Sequence, residues 1–527
     1  MNNIFSLGVK SAVIFFVLFA LNACDKLNSP KTPQIQSSST EDVKTVSPQV
    51  ALDPSPREKL VRGIKFEPIL DPWLVKEEEQ LSLIRDLFEG LTAYDAEGNI
   101  VPAAAESWQT KDNKIWRFVL RQEAMWSNGE PMKAQDFVLS WQRLSQSQTA
   151  LKSYLLYLNL KNAKAVLEKK QPAESLGISA ENDRTLLITL DKPTPYLPEM
   201  LAHIALLPQY PDPAEKVSNG AYVFSFRDDN GVHLAKNPHY WKKDSVAFKQ
   251  VDYVLLGSTS LAKFDVVWNV GQKSDNIQYF PKLCSYFYEF NLRDPKLTNP
   301  LIRKAIASLI SVTAITHNEM PNNIAGSYFL PKAMLQGQDS KWEPVVAEQL
   351  LAQAKITEKQ PLILRLSYDD VAPHRHIAQR ITQQLSESDL LRVEALPMSW
   401  QQLQEKRIAG QFQLIRSGWC GDFNHPMAFL GLFYSKSPDN KNGYANPQYD
   451  KLFEQALKST SEKERSEIYL KLSEIIQQEN IVLPLFQYTV PVYIAPSIMG
   501  AKPNPTAGAI SSKNLWRKVV TGEPNME

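Results

Sequence analysis

The sequence has few histidines, almost no net charge and none of the short motifs that mark many enzymes. Seven histidines occur in 527 residues, and one His-x-His pair, His374 and His376, does not supply a structural metal site. A formal net charge of +1 argues against nucleic-acid binding, which needs an excess of cations. Gly-x-Ser-x-Gly, His-Glu-x-x-His and a phosphate-binding glycine loop are absent. We therefore expect no enzymatic activity, no metal and no cofactor, with a hydrolase as the alternative.

The N-terminal apolar run is too short to span about 30 Å of bilayer hydrocarbon comfortably. It extends from Ser11 to Leu21 behind Lys10 and is typical of a secretory signal, with a transmembrane anchor as the alternative. Leu21-Asn22-Ala23-Cys24 resembles the lipobox of bacterial lipoproteins. The resemblance implies a signal peptide over residues 1–23 and lipidation of Cys24, and Asp25 would favour the inner membrane in enteric bacteria. Two or three acyl chains, at about 0.8 kcal/mol per buried methylene, hold a protein on a bilayer.

Residues 24–57 are rich in Pro, Ser, Thr and Gln and have no periodic apolar residues. Such a segment cannot bury enough surface to offset the entropy of ordering it, so we predict a disordered tether. The rest of the chain is longer than one hydrophobic core usually organises, and two or three lobes are expected. Strand-like stretches and amphipathic helices follow one another without repeats, which predicts a mixed α/β fold. Long helices are expected at Leu301 to Ile310, Val345 to Lys355, His376 to Leu385, Tyr449 to Lys458 and Glu462 to Gln478.

Three cysteines are present: Cys24, Cys284 and Cys420. If lipid occupies Cys24, the other two most simply form a disulfide in a secreted chain, and two buried free thiols are the alternative. The bridge would close a long loop, which the chain-entropy model credits with roughly 4–5 kcal/mol of stability.

Several segments, in this order, resemble the oligopeptide-binding proteins of the dipeptide/oligopeptide ABC transporter family. The similarity extends from Leu60 to the C-terminus, and so many matches in register are a specific signal. The matching segments are Arg85–Leu91, Ala105–Trp108, Trp116–Arg121, Trp126–Pro131, Asp136–Leu144, Ser218–Tyr222, Lys236–Trp241 and Gly418–Asn424.

The resemblance implies an α/β, two-lobed clamshell of the periplasmic binding-protein type, with an extra inserted domain and hinge closure around an enclosed ligand. Lobe one would comprise residues 58–88, 211–283 and 490–527, the inserted domain residues 89–210, and lobe two residues 284–489. The expected partners are short peptides, the permease of an ABC importer and, through the N-terminal lipid, a membrane. The family bridge would join Cys284 to Cys420, and a monomer in the periplasm is expected.

A receptor that accepts many peptides must bind their shared groups, which are the α-ammonium, the backbone and the carboxylate. Asp422 matches the family aspartate that pairs with the α-ammonium, and Gly418, Trp419 and Cys420 would offer backbone groups like an added strand. Taken alone, Asp422 would be an ordinary loop residue. Other residues match family cleft positions: Arg407, Arg416 and His374 would face the ligand carboxylate, and Trp400, Asn269 and Tyr488 match more loosely. These could also be surface or core residues.

The chain departs from the family in the wall of lobe one. Lys76 stands where the family often has a glutamate, Lys282 replaces an aromatic residue before Cys284, and the loop around Leu151 and Lys152 is shorter. Ligand length or side-chain preference could therefore differ. A non-peptide ligand such as haem or a metal chelate, or a sensor without a transport role, is the second alternative.

Overall fold

The computed structural model describes residues 57–212, 215–258, 260–335, 346–503 and 509–518. The predictions of a signal peptide, a lipidated Cys24 and a tether therefore lie outside the described residues, apart from residue 57. Within the described ranges no helix is long and apolar enough to cross a membrane.

The strands follow one another along the whole described chain. In chain order they are β1 (Lys59–Ile64), β2 (Thr92–Tyr94), β3 (Ile100–Pro102), β4 (Ala105–Thr110), β5 (Ile115–Leu120), β6 (Ile178–Asn182), β7 (Thr185–Thr189), β8 (Tyr222–Asp228), β9 (Gly231–Lys236), β10 (Gln250–Leu255), β11 (Val266–Trp268), β12 (Ile277–Phe290), β13 (Ile324–Ala325), β14 (Leu362–Asp369), β15 (Leu391–Met398), β16 (Leu414–Cys420), β17 (Val482–Ile494), β18 (Ile498–Met499) and β19 (Trp516–Arg517).

The α-helices are interspersed with the strands, which confirms the predicted mixed α/β class. In chain order they are α1 (Leu81–Leu87), α2 (Ala134–Gln146), α3 (Tyr154–Tyr157), α4 (Ala163–Leu167), α5 (Leu197–Met200), α6 (Pro300–Ser308), α7 (Val312–Glu319), α8 (Ala347–Gln353), α9 (His374–Leu385), α10 (Trp400–Ala409), α11 (Met427–Leu430), α12 (Pro447–Lys458) and α13 (Glu462–Gln478).

One large sheet runs through both lobes. Its strand order is β15-β14-β16-β12-β17-β11-β1-β10-β9-β8, and β13 pairs with β17 beside this path. Strands β14 to β16 lie on the lobe-two side, and β1 and β8 to β11 lie on the lobe-one side. The two long antiparallel strands β12 and β17 pair with each other from Ile277↔Tyr493 to Glu289↔Val482 and connect the two sides, with a register shift between Pro281 and Ser285.

The inserted domain builds a sheet of its own with the order β4-β5-β7-β6, covered by α2. Its core includes Trp116, Phe118, Phe137 and Trp141. The same buried cluster continues into the segment that carries α11 to α13, whereas β14 to β16 pack with α6 to α9 in a separate cluster. The expected lobe two thus has two packing regions, one of them shared with the inserted domain.

Candidate functional site

Strand β16 has a backbone edge that no other described strand covers. On one side β16 pairs with β12 along its whole length, from Cys284↔Cys420 to Phe290↔Leu414. On the other side β14 pairs with it only at Leu366↔Leu414 and Ser367↔Ile415. From Arg416 to Cys420 this second edge is therefore free of strand partners within the described part of the chain.

The register decides which residues of β16 present backbone groups at that free edge. The Cα atoms of Cys284 and Cys420 are 4.0 Å apart, which identifies a non-hydrogen-bonded pair in an antiparallel ladder. The next residue agrees, because Gly421 N–H donates to the Leu283 carbonyl at 2.7 Å. The N–H and C=O groups of Cys420 and, two residues earlier, Gly418 point away from β12 toward the free edge.

The backbone of Trp419 faces the other way, toward Ser285 on β12. Its half-buried indole donates from Nε1 to the Ala428 carbonyl at 2.6 Å, so this side chain is anchored in the protein. The register does not place the backbone of Trp419 at the free edge, and its part in ligand binding stays a prediction. Alternation along a strand leaves that edge to Gly418 and Cys420.

The structure contains the disulfide between Cys284 and Cys420 that the family resemblance implies, with the two sulfur atoms 2.10 Å apart. It connects β12 to the end of β16, two residues before Asp422. The alternative of two free buried thiols is thereby excluded.

Asp422 follows β16, and its carboxylate has no partner among the residues that the structure describes. Within the described ranges no group donates a hydrogen bond to this carboxylate or forms an ion pair with it. The residue is exposed to solvent, yet surrounding protein desolvates it, and this effect together with nearby Asp439 raises the pKa of Asp422 to about 6. Burial, and after it the Asp422 charge, raises the pKa of Tyr154 and of Tyr157 well above the ordinary value. A ligand cation would relieve this unfavourable desolvation.

The loop that carries Asp422 is held by the inserted domain. The Phe423 ring stacks on Tyr196, with centroids 5.3 Å apart and an 8° angle between the planes. Asn424 donates its backbone N–H to the Tyr94 hydroxyl at 3.2 Å and its side-chain amide to the Gly98 carbonyl at 2.9 Å. The position of Asp422 is thus fixed from two directions, by the disulfide before it and by these contacts after it.

Arg416, on the same strand as Gly418, lies in a buried polar cluster. Its Nη2 donates to His374 Nε2 at 2.9 Å, and its Nε is 3.5 Å from Asp369 Oδ1. The guanidinium also lies 5.1 Å from the centre of the Tyr286 ring and 5.3 Å from that of Trp400. The sequence-predicted residues brought together here are Arg416, His374, Trp400 and Tyr488, whose hydroxyl faces Arg416.

His374 has a strongly lowered pKa, and its expected place opposite a ligand carboxylate stays a prediction. Burial and the nearby Arg416 charge lower the pKa of His374 to about 3. Because an arginine always donates, Nε2 of His374 accepts and Nδ1 carries the proton that is donated to the Tyr286 hydroxyl at 3.2 Å. His374 therefore orients Arg416 in this structure and carries no charge that would attract a carboxylate.

Arg407 and Trp400 both project from α10. The helix begins with a capping box in which Ser399 Oγ accepts from Gln402 N–H and the Gln402 side chain accepts from Ser399 N–H. The Arg407 side chain, 12% exposed, forms an ion pair with Glu289 at 2.7 Å. Trp400 remains 41% exposed. Arg407 thus has an internal counter-ion, whereas Trp400 offers an open aromatic face.

Asn269 lies on lobe one, apart from the cluster around Arg416. Its side-chain amide donates to Glu79 Oε1 at 3.1 Å, and its carbonyl accepts from the Lys65 ammonium. The departures from the family lie in the same wall: Lys282 forms an ion pair with Glu78, and Lys76 is exposed. In the part of the chain that the structure describes, Asn269 forms no hydrogen bond with the lobe-two site residues.

Sequence reasoning missed the acidic and tyrosine side chains that surround the predicted residues. Glu289 accepts from Ser417 Oγ at 2.7 Å as well as from Arg407, and Asp369 lies next to Arg416. These pairs join positions far apart in sequence, so no local motif indicates them. The residues concerned are Asp369, Glu289, Tyr286, Asp439, Tyr154 and Tyr157.

Hinge-bending solute receptors typically have two lobes that share a continuous pair of strands. This chain has such a pair, and a free strand edge lies between its polar clusters. The comparisons with known proteins specify the family. The chain belongs to the bacterial extracellular solute-binding proteins, family 5. Residues 99–441 match the model of this family that is described as "family 5 Middle". The relatives are solute-binding proteins rather than enzymes, so the hydrolase alternative is excluded.

Two relatives show how far the similarity extends. A Haemophilus influenzae protein named only as a binding protein is 56% identical over 98% of this chain and 99% of its own length. The periplasmic oligopeptide-binding protein OppA of Salmonella typhimurium is 30% identical over 85% of this chain and 90% of its own length. Both similarities extend over most of this chain and most of the relative.

Solved structures support the same fold. The unliganded open form of the murein tripeptide-binding protein MppA, 29% identical, matches with a TM-score of 0.83 over 88% of this chain and 98% of that chain. A second structure of MppA, from Escherichia coli, has the same identity and nearly the same coverage but a TM-score of 0.62. Both structures are of a two-domain periplasmic binding protein, which agrees with the two-lobed fold of this chain.

Proposed function

We propose that this chain captures short peptides outside the cytoplasmic membrane and delivers them to an ABC importer. The observation that carries the proposal is the free edge of β16, which ends two residues before the unpartnered carboxylate of Asp422. An extended peptide requires both features, a strand edge for its backbone and an anion for its amino end.

The backbone of the peptide would pair with β16. Gly418 and Cys420 each present one N–H and one C=O group, so a peptide can add as a strand without contributing any particular side chain. Gly418 has only the Ser285 carbonyl oxygen near the position of a Cβ, at 3.6 Å, and its bare backbone leaves room for a close approach. This arrangement supports binding that depends weakly on peptide sequence.

The amino end of the peptide would pair with Asp422. A free carboxylate that is desolvated by its surroundings gains more from an ammonium than one in bulk water, because screening is poorer. The relatives named above include an oligopeptide-binding protein, which agrees with a ligand that has a free α-amino group.

The far end of the peptide would meet the arginines. Arg416 is buried and held by Asp369 and His374, and its Nε lacks a hydrogen-bond partner. A ligand carboxylate that approaches this donor, or the Arg407 guanidinium after rearrangement of its ion pair, would be neutralised there. The exposed face of Trp400 beside Arg416 would cover the last side chain.

Closure would bring lobe one onto the bound peptide. The two strands β12 and β17 are the continuous connection between the lobes in the large sheet, and bending near the register shift at Pro281 would move one lobe toward the other. Asn269, Glu79 and Lys282 would then form the opposite wall. We propose that a monomer suffices for this cycle.

Identification of the natural ligand tests the proposal. Protein purified from its own cells without added ligand should release a mixture of short peptides when it is denatured, detectable by mass spectrometry. A heat-treated sample of an unrelated periplasmic protein, prepared in parallel, controls for carry-over. Release of haem, of a metal chelate or of no peptide at all would refute peptide capture.

We also propose that the protein is anchored in a membrane by lipid on Cys24. The support comes from the sequence alone, in Leu21-Asn22-Ala23-Cys24. The full-length chain should fractionate with membranes, and Cys24→Ser should abolish this, since no thiol remains to accept the lipid. Asn22→Ala preserves the lipobox and should stay in the membrane fraction. If Cys24→Ser also stays there, the anchor is of another kind.

A further inference from the structure

We propose that Asp369 makes the cleft indifferent to the charge at the carboxyl end of its ligand, because it neutralises Arg416 inside the protein. The ligand class that follows comprises peptides with an uncharged carboxyl end, such as C-terminal amides, bound as tightly as peptides with a free carboxylate. This inference rests on the proposed function, since it assumes that a peptide lies along β16 with its far end near the arginines. It assigns Asp369 as a specificity-determining residue.

The large sheet brings Asp369 next to Arg416. Strand β14 pairs in parallel with β16 up to Ser367↔Ile415, and it ends two residues later, at Asp369. The same offset places this end of β14 beside the start of the free edge of β16. Asp369 Oδ1 lies 3.5 Å from Arg416 Nε, and the two side chains are each 6% exposed. The ion pair is therefore formed by adjacent strands and shielded from solvent.

His374 completes this group without adding a charge. Its Nε2 lies 3.6 Å from Asp369 Oδ2 and accepts from Arg416 Nη2 at 2.9 Å. Burial and the Arg416 charge lower the pKa of His374 to about 3, so the imidazole is neutral at physiological pH. Burial raises the pKa of Asp369, and the guanidinium opposes this rise by favouring the ionised form. The three side chains thus contain one cation and one anion.

The group that a ligand can reach at this point is an aromatic ring. Trp400 is 41% exposed, whereas Arg416 is buried, and the guanidinium lies 5.3 Å from the centre of the Trp400 ring. The far end of a peptide would therefore meet the indole face, behind which lies an ion pair without net charge. Such a surface suits an amide end, because a carboxylate would lose hydration there without gaining a counter-charge.

The second arginine of the site is neutralised in the same way. Arg407 forms an ion pair with Glu289 at 2.7 Å, and the Glu289 side chain is 3% exposed. The same carboxylate accepts a hydrogen bond from Ser417 Oγ at 2.7 Å, which holds it in place. A peptide of another length, whose far end lies near Arg407, would thus also meet a cation that already has an internal carboxylate.

The two ends of the ligand would therefore be bound by different means. A ligand carboxylate near either pair would be attracted by the guanidinium and repelled by its internal carboxylate over similar distances, so the two effects largely cancel. At the amino end, by contrast, the Asp422 carboxylate has no partner among the described residues. Charge should consequently matter at the amino end of a peptide and matter little at its carboxyl end.

Peptides that differ only at the carboxyl end test this inference by calorimetry on the full-length protein stripped of ligand. Trialanine, tetraalanine and pentaalanine are each compared as free acid and as C-terminal amide at pH 7. At every length the two forms should bind with dissociation constants within about threefold of each other. A preference for the free acid of more than about threefold at any length would overturn the inference and leave peptide capture intact.

The variant Asp369→Asn assigns this behaviour to one residue. Without the internal carboxylate Arg416 has an uncompensated charge, so the free acid should bind about tenfold more tightly than the amide for at least one length. Asp370→Asn is the matched control, because it removes the neighbouring carboxylate, which is exposed and paired with Arg375. Its ratio of acid to amide affinity should equal that of the wild-type protein.

The variant is expected to fold, since Arg416 keeps its hydrogen bond to His374 and its contact with the Tyr286 ring. Asp369→Ser removes the same charge with a smaller side chain and serves as the second variant. A ratio that stays within about threefold at every length in the folded variants would overturn the assignment to Asp369. If the wild-type protein binds neither form at any length, the proposed function and this inference both fail.

Discussion

Asp422→Asn is expected to weaken the binding of peptides with a free amino end by roughly 30- to 1000-fold. Removing one member of a desolvated charge pair costs about 2–4 kcal/mol, because the remaining ammonium is left without its counter-charge. N-acetylated versions of the same peptides lack that charge and should lose less than about threefold. The measurement is isothermal titration calorimetry of both peptide forms with both proteins. Equal losses for free and acetylated peptides would contradict the assigned role.

The pH dependence of binding provides a second readout for the same variant. The free protein has an Asp422 carboxyl with a pKa of about 6, and an ammonium beside it favours the ionised form. Affinity should therefore be constant above pH 6 and fall by up to about tenfold per unit below it, until the pKa of the complex is reached. Tyr154 and Tyr157 do not titrate in this range, and His374 stays neutral. Asp422→Asn should flatten this part of the profile.

The stability of the ligand-free protein should move in the opposite direction. A carboxyl with a pKa above its unfolded value of 3.8 opposes folding when it is ionised, so its unfavourable contribution is present at neutral pH and disappears as pH falls through 6 toward 4. Asp422→Asn removes that contribution and should raise the Tm at pH 7. A variant that binds weakly yet unfolds at a higher temperature cannot be explained by misfolding.

Replacing Cys284 and Cys420 together by alanine is expected to lower the free energy of unfolding by about 4–5 kcal/mol. The bridge spans a sequence separation of 136 residues, and the chain-entropy model gives a stabilisation of this size for such a loop. For a chain of this length the loss corresponds to a fall of roughly 5 °C in Tm. Thermal unfolding with and without a reductant measures the effect.

The wild-type protein and the double variant control for each other in that experiment. Reductant should lower the Tm of the wild-type protein toward that of the variant and leave the variant unchanged. A wild-type Tm that is insensitive to complete reduction would show that the bridge contributes little, for instance because the reduced unfolded chain retains structure.

The sequence predicted several long helices of lobe two well, because their signals are local, but not α7, α10 or α11. The helix expected over Glu462 to Gln478 has those bounds in the structure, and the one expected from Tyr449 to Lys458 begins two residues earlier, at Pro447. Asn446 and Ser461 cap these helices from within their own segments. Amphipathic periodicity and caps suffice for such elements.

The long strands β12 and β17 were not predicted. Their partners lie about two hundred residues apart in sequence, and their buried stretches lack a simple alternation of polar and apolar residues. From their periodicity alone, such strands cannot be distinguished from any other buried apolar segment. The connection between the lobes is for this reason visible only once the sheet is assembled.

The site was predictable as a set of positions but not as a set of charge states. The family resemblance indicated Arg416, His374, Trp400 and Tyr488, and these four do lie together. Neutral His374 and the pairing of Arg407 with Glu289 depend on burial and on contacts between distant segments, which no single motif encodes.

The register at Cys284 and Cys420 has a consequence for how a ligand is positioned. Strands repeat every two residues, so a slip of one residue would turn the backbone groups of Gly418 and Cys420 toward β12 and expose those of Trp419 instead. A covalent bond between facing residues forbids that slip. The bridge therefore fixes the alignment of every bound peptide with β16. The first residue of each peptide would meet the same backbone groups, whatever its side chain is.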